Sequence, residues 1–216
     1  MADNETIRIL IADDHAIVRE GLKQILADTR DMVVTGAAEN GNDAIKIARR
    51  GECDVLLLDI SMSDRNGIDV LKQIRKEAPQ LAVLMLSMYR EDQYAIRSLK
   101  AGAAGYLNKQ SAPAELVNAI RQVAAGRKYV SPALAQELAR HVGDEHRELA
   151  PHETLSDREY QTMIMIASGK TVSDIAAELS LSVKTISMYR SRLLQKMKLR
   201  HNAELTHYAI KNNLVE

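Results

Sequence analysis

Three acids, a hydroxyl and an ammonium stand where their types and spacing could do chemistry in this chain of 216 residues. Asp59 closes the apolar run Val55-Leu56-Leu57-Leu58 within the stretch DVLLLDISMSDRNG, 54–67. Asp13 and Asp14 close the run at 7–12, Ser87 follows the run at 82–86, and Lys109 comes just after that at 105–107. In an open parallel α/β sheet, ligands bind beyond the carboxyl ends of the strands. Carboxylates gathered there repel one another unless a cation joins them, and hard oxygen donors beside a phosphate-sized gap suit Mg2+. Lysine supplies a point charge for one phosphoryl oxygen, and serine a hydrogen bond to another. The set fits phosphoryl transfer to a carboxylate, with a metal neutralising charge while Asp59 attacks.

Each residue alone has a simpler account. Asp14 could cap a helix beginning at His15, Lys109 could be a solvated surface charge, and Ser87 an ordinary turn residue. The weight lies in the four positions together, each at the same end of a different strand.

The elements that must deliver them are legible in the hydrophobic pattern. Runs at 7–12, 32–37, 55–58, 82–86 and 105–107 read as strands, while 15–28, 41–51, 66–77, 91–101 and 112–126 carry apolar groups three and four apart. Five such units in succession predict an α/β fold, a doubly wound five-stranded parallel sheet with helices on both faces. Ser131-Pro132 then opens a short helix to about His141, and the polar stretch VGDEHRELAPHET, 142–154, reads as a tether. Beyond it only helices fit, at 156–168, 171–179, 182–198 and 202–213, so a small all-α domain follows. The expected division is 1–128, a linker at 129–154, and 155–216.

The residues around the acids resemble the receiver domain of two-component response regulators, through IRILIADDHAIVREGL, LLLDISM, MLSM at 85–88 and AGAAGYLNKQSAPAEL at 101–116. The whole chain, residues 7 to 213, resembles their NarL/FixJ family, which joins a flavodoxin-like receiver to a LuxR-type helix-turn-helix. The resemblance implies that Asp59 is the phosphoacceptor and that Asp13, Asp14, Asp59 and the backbone carbonyl of Ser61 hold Mg2+. It makes Ser87 and Tyr106 a switch pair and sets Lys109 against the acyl phosphate. Tyr106, inside the last strand, is open to a reading as plain core. As a switch it would turn from solvent towards the core when phosphate draws Ser87 inward. One departure is visible: Ser63 stands where the family usually has proline, which predicts a freer loop after Asp59.

In the C-terminal part, Thr171 and Ser182 are placed to cap successive helices joined by a short turn at Ser180-Leu181. The first helix would bury Ile175, Ala176 and Leu179, and the second Ile186, Leu193, Leu194 and Met197. Helix-turn-helix proteins set such a second helix into the DNA major groove. Charge supports the reading. Residues 182–211 hold seven Lys or Arg against the single acid Glu204, whereas 131–181 hold four against nine acids. By family match, Ser187, Met188 and Ser191 face bases. Lys184, Thr185, Tyr189, Arg190, Arg192 and Lys196 contact backbone phosphates or support the helix. Short and apolar groups suit thymine methyls rather than bidentate guanine readout.

Composition narrows the alternatives. Lys+Arg and Asp+Glu tie at 29 each, which hides the polarity between segments. No apolar run approaches a membrane span, the N-terminus lacks a signal peptide's pattern, and the single Cys53 reads as a small core residue, so a cytoplasmic setting is expected. An aspartyl-phosphate phosphatase would want a second acid two residues after Asp59, where Ser61 stands. A ligand-sensing LuxR-type activator would want aromatics for its pocket, and the chain has no Phe and no Trp. The expected partners are a sensor histidine kinase, double-stranded DNA at an inverted-repeat promoter site, and a second copy of the chain on activation. No membrane and no small-molecule ligand is expected, and no enzymatic turnover beyond its own phosphoryl transfer and dephosphorylation.

Overall fold

The computed structural model describes residues 6–88, 91–132, 134–136 and 150–215, with the side chains of 91–93 outside that description. The chain divides into two compact units, Met1–His141 and Val142–Glu216.

The first unit alternates strand and helix throughout: β1 Ile7–Ala12, α1 Ala16–Ala27, β2 Met32–Ala38, α2 Gly41–Ala48, β3 Val55–Asp59, α3 Gly67–Glu77, β4 Ala82–Ser87, α4 Glu91–Lys100, β5 Gly105–Asn108 and α5 Pro113–Ala124. The strands form one parallel sheet in the order β2-β1-β3-β4-β5. The winding reverses between β1 and β3, which opens a crevice at their carboxyl ends. Every residue of β3 is buried, as a central strand covered on both faces must be. On one face Ile9, Ile11, Leu57, Leu84 and Leu107 pack with Leu26 of α1 and with Leu116, Ile120 and Val123 of α5. The alternate residues Leu10, Leu56, Leu58, Val83 and Met85 are equally buried on the other face. Cys53 is buried, as expected of a small core residue, and burial pushes its thiol up to about 11.

Two details adjust the expected boundaries at the crevice. Asp59 and Ser87 are the last residues of β3 and β4 rather than the first residues beyond them, because Asp59 still pairs with Leu86 and Ser87 with Asn108. The loop after β3 is pinned by an antiparallel bridge between Ser61 and Asn66, and Asn66 caps α3 by accepting from the N–H of Ile68 at 2.9 Å.

The second unit holds a 3-10 turn at Pro151–Thr154, then α6 Asp157–Ala167, α7 Val172–Glu178, α8 Val183–Lys196 and α9 Asn202–Lys211. The turn lies within the stretch read as tether, and His152 Nδ1 lies 2.8 Å from the Tyr208 hydroxyl of α9. Thr171 and Ser182 cap α7 and α8 by accepting from the N–H groups of Asp174 and Thr185. Ser180 adopts a positive φ of 51° between them, and the Leu181 N–H closes the end of α7 on the Ala176 carbonyl at 2.9 Å. Ile175, Ala176, Leu179, Ile186, Leu193, Leu194 and Met197 are buried as the pattern predicts. Ser131 caps the segment after it, accepting from Leu134 at 3.2 Å. Most of the helix expected at 131–141, and residues 142–149 of the tether, lie outside the described residues.

The close approach of α3 to β3 depends on one glycine. A Cβ at Gly67 would sit 2.0 Å from the Asp59 carbonyl oxygen and 2.8 Å from Ile60 Cα, both backbone atoms. Gly67→Ala should therefore lower stability by about 3 kcal/mol, the upper part of the usual overpacking penalty. Urea denaturation of the two proteins checks this, and a shift below about 0.5 kcal/mol would be inconsistent with so tight a contact.

Candidate phosphoryl-transfer site and nucleic-acid interface

The carboxyl edge of the sheet gathers the acids and the lysine into one cluster. Asp13, the first residue past β1, and Asp59, the last of the adjacent β3, are both buried. Lys109 follows β5, where its N–H donates to the Ser87 carbonyl at 2.8 Å. Its Nζ lies 2.5 Å from Asp13 Oδ2 and 3.0 Å from Asp59 Oδ2. A lysine here is thus no solvated surface charge. Ser87 is buried at the end of β4 beside this pair of strands, so it is no turn residue.

Asp14 does not serve as the helix cap that its position suggests. The residue at the N-cap of α1 is His15, whose side chain makes no capping hydrogen bond. Asp14 Oδ2 instead accepts from the Ser63 N–H at 3.0 Å, and its Oδ1 lies 2.8 Å from His15 Nδ1. Asp13 Oδ1 accepts from the His15 N–H at 2.9 Å, closing the turn after β1.

Two negative charges against one ammonium leave the cluster short of positive charge. The Asp59 carboxyl is pushed up to about 6, mainly by burial. Lys109 pulls it down, Asp13 raises it, and a hydrogen bond from the Ser61 backbone lowers it. Atoms of Asp13, Asp14, His15 and Asp59 lie within 4.8 Å of one another, so the four could share one cation. Carboxylate oxygens buried this closely fit a hard divalent ion such as Mg2+. The sequence reading missed His15, and its position next to Asp14 was the available signal.

Tyr106 departs from the resting position expected of a switch. It is already fully buried, on the strand register opposite Met85. With no Phe or Trp in the chain, tyrosines are the largest side chains that can fill space, and Tyr94, Tyr106 and Tyr160 are the bulkiest fully buried ones.

In the second unit α8 presents two kinds of face. Lys184, Ser187, Met188, Ser191, Arg192 and Lys196 are exposed, whereas Thr185, Tyr189 and Arg190 are half-buried. Several of these already have partners. Arg190 Nε donates to Asn202 Oδ1 at 2.7 Å, and Thr185 Oγ1 lies 2.8 Å from the capping Ser182 hydroxyl. Lys196 Nζ lies 2.6 Å from Glu159 Oε2, a carboxylate buried in α6 and held below its usual range against burial by Lys196 and Ser156. These contacts tie α8 to its neighbours, while Lys184 and Arg192 have no ion pair among the described residues.

Comparison with known proteins agrees with both halves. The family model for the response regulator receiver domain matches residues 9–121, and that for bacterial regulatory proteins of the luxR family matches 153–209. Response regulator UvrY of Escherichia coli (strain K12) is 38% identical, over 96% of this chain and 95% of its own length. Response regulator GacA of Pseudomonas aeruginosa is 37% identical over 97% and 98%. The chain belongs to the NarL/FixJ family of response regulators. RcsB from Salmonella enterica serovar Typhimurium, solved bound to promoter rprA in the presence of phosphomimetic BeF3−, superposes with a TM-score of 0.65 at 27% identity. That match covers 94% of this chain and 98% of RcsB. This response regulator is therefore a two-component, DNA-binding regulator of transcription with a LuxR-type helix-turn-helix. Among its described residues no helix is long and apolar enough to cross a membrane.

The charge state of the cluster makes a stability prediction. Asp59 ionises near 3.8 in the unfolded regulator and near 6 in the folded one, so burial favours its protonated form. Its ionisation then costs the fold nothing below about pH 4, a growing amount between pH 4 and 6, and on the order of 3 kcal/mol above that. Asp59→Asn should stabilise the metal-free protein by about 1–3 kcal/mol at pH 7.5 and by almost nothing at pH 4. Denaturation in EDTA at the two pH values checks this. A gain independent of pH would show that the carboxylate is not the source.

Proposed function

We propose that this response regulator accepts a phosphoryl group on Asp59 from a sensor histidine kinase, or from acetyl phosphate, and thereby frees α8 to bind promoter DNA. The observation that carries the reading is the Lys109 ammonium shared between buried Asp13 and Asp59 at the carboxyl edge of the sheet. The receiver takes in residues 1–128, the linker 129–154 and the output domain 155–216.

An Asp59 carboxylate oxygen attacks phosphorus, the bond from phosphorus to the donor's nitrogen or oxygen breaks, and an acyl phosphate remains. Asp13, Asp14, Asp59 and the backbone carbonyl of Ser61 would hold Mg2+, which neutralises charge on the phosphoryl oxygens. Lys109 exchanges its contact with Asp59 for one with the phosphoryl group while Asp13 keeps it in place. The Ser87 hydroxyl donates to another phosphoryl oxygen. Tyr106, buried beside β4, packs against whatever position Ser87 takes up, so the movement reaches the surface of α4, β5 and α5. Apart from forming and losing its own acyl phosphate, the protein turns nothing over.

On the output side, Ser187, Met188 and Ser191 face bases, and Lys184 and Arg192 contact phosphates. Thr185, Tyr189, Arg190 and Lys196 act first as supports of the helix. One helix spans few base pairs, so specificity calls for a homodimer on an inverted repeat. The setting is the cytoplasm, where kinase, phosphodonor and DNA meet.

Incubation with acetyl phosphate and Mg2+ should add one phosphoryl group by intact mass. EDTA or Asp59→Asn should abolish the addition, and Ser87→Ala should accept phosphate yet gain little DNA affinity. Phosphate still added to Asp59→Asn would sink the assignment. Gel shifts should show the phosphorylated full-length protein binding more tightly than the unphosphorylated one, and residues 150–216 binding without phosphate.

Salt dependence separates the two kinds of α8 cation. Arg192→Ala should reduce the slope of log affinity against log salt by about one while leaving stability unchanged. Lys196→Met should instead cost on the order of 1–2 kcal/mol of stability, because it leaves Glu159 buried without its counter-ion. Equal slopes and equal stabilities for the two variants would refute this division.

A further inference from the structure

The opposite, amino-terminal edge of the sheet carries a pocket of about 640 Å3 that the phosphoryl chemistry does not use. It is bounded by Arg8 at the start of β1, Asp54 ahead of β3, Arg75 and Glu77 at the end of α3, and Arg127 and Lys128 after α5. Five cations line it, counting Arg49, against two carboxylates.

Both carboxylates are already taken. Asp54 lies 2.7 Å from Arg8, and Glu77 lies 2.6 Å from Arg49. The other three cations have no carboxylate among the described residues. Lys128 Nζ donates to the Ala103 carbonyl at 2.6 Å, and Arg75 donates to the Leu81 carbonyl. These neutral acceptors fix the two side chains without cancelling their charge. Arg75 Nε is buried and has no hydrogen-bond partner among the described residues. Burial and the charge of Arg75 also push the Lys128 ammonium down, so the two cations disfavour each other as they stand.

Beside this basic wall stand Ala82, Ala104 and Val123. A pocket of this volume is within the range that holds small organic ligands. Its charge selects a multivalent anion, and guanidinium and ammonium together suit phosphate oxygens. We propose that this pocket binds a di- or triphosphate, free or carried by a nucleoside, between Arg75, Arg127 and Lys128. The carbonyl ends of α3 and α5 point to this edge, and their dipoles oppose an anion. The affinity must therefore come from the three side chains and fall as salt rises. This ligand departs from the expectation that the chain takes no small molecule.

The test is isothermal titration of the full-length protein with pyrophosphate in EDTA, followed by ADP, with inorganic phosphate as the monovalent-group control. EDTA silences the Asp59 edge, and Asp59→Asn should leave the titration unchanged, so the two sites are read separately. Pyrophosphate should bind saturably and at least tenfold more tightly than phosphate. The double variant R127Q/K128Q should weaken it at least tenfold. R127Q alone, at an exposed position outside the helices with no side-chain bond to lose among the described residues, should weaken it at least threefold with an unchanged urea midpoint. Tighter binding of ADP than of pyrophosphate would assign the apolar wall to a nucleoside, and equal binding would assign the site to the free anion. Absence of saturable heat from both ligands, or undiminished affinity in the double variant, overturns the proposal.

Discussion

Two carboxylates and one ammonium share a place from which water is largely excluded, and the receiver unit is organised around keeping them there. Burying an ion costs several kcal/mol even after relaxation, and the cost is recovered only by close, well-placed partners. The strand order meets that condition. Asp13 just past β1 and Asp59 at the end of β3 sit side by side, and Lys109 arrives from two strands beyond β3, a gap of roughly 10 Å that a long flexible stem can cross. A shorter cation at 109 would not reach both oxygens. The arrangement is nonetheless one positive charge short, and the Asp59 carboxyl is raised by burial first and by neighbouring Asp13 after that, against the pull of Lys109. A fold that carries such a deficit at its carboxyl edge is poised for whatever brings further positive charge there.

That edge was largely legible in the chain because two periodicities reinforce each other. Buried parallel strands read as unbroken apolar runs, and the first polar residue after each run falls at the crevice. Asp13, Asp59 and Lys109 were found in this way, and their buried mutual contacts follow from it. What the pattern could not supply was the direction of each side chain. Asp14 satisfies a capping rule on paper, yet its carboxylate points to the Ser63 N–H instead of capping α1. Tyr106 fits a mobile surface aromatic as well as a core filler, and only packing decides that it is inside. The turn at Pro151–Thr154 was hidden for another reason: four residues are too few to show a period, and its order comes from contact with Tyr208.

The same limit shows in the output unit. Counting charge located the basic helix correctly but treated every cation on it alike. Geometry sorts them. Lys196 neutralises buried Glu159 and Arg190 holds Asn202, so both stitch α8 to adjacent helices before any partner arrives. Glu159 neutralises Lys196, whereas Arg190 keeps its charge beside the neutral Asn202, so the positive charge left for an anion is smaller than the sequence count by the Lys196 pair.

Ser63 shows how a single departure from a family pattern changes the physics of a loop. Proline there would fix φ and offer no N–H. Serine leaves φ free, which alone predicts a looser segment after β3. The freed N–H, however, is donated to Asp14 at 3.0 Å, so the segment is tied to the turn after β1. The same loop is pinned at its base by the Ser61–Asn66 bridge and by Gly67 lying against the Asp59 carbonyl. Rigidity that proline would supply through its ring is supplied here by a hydrogen bond to a charged acceptor, which is stronger than one to a neutral group. The two solutions differ in how they act. A ring stiffens the loop by itself, whereas the bond to Asp14 stiffens it by joining it to the turn after β1, beside the acidic cluster.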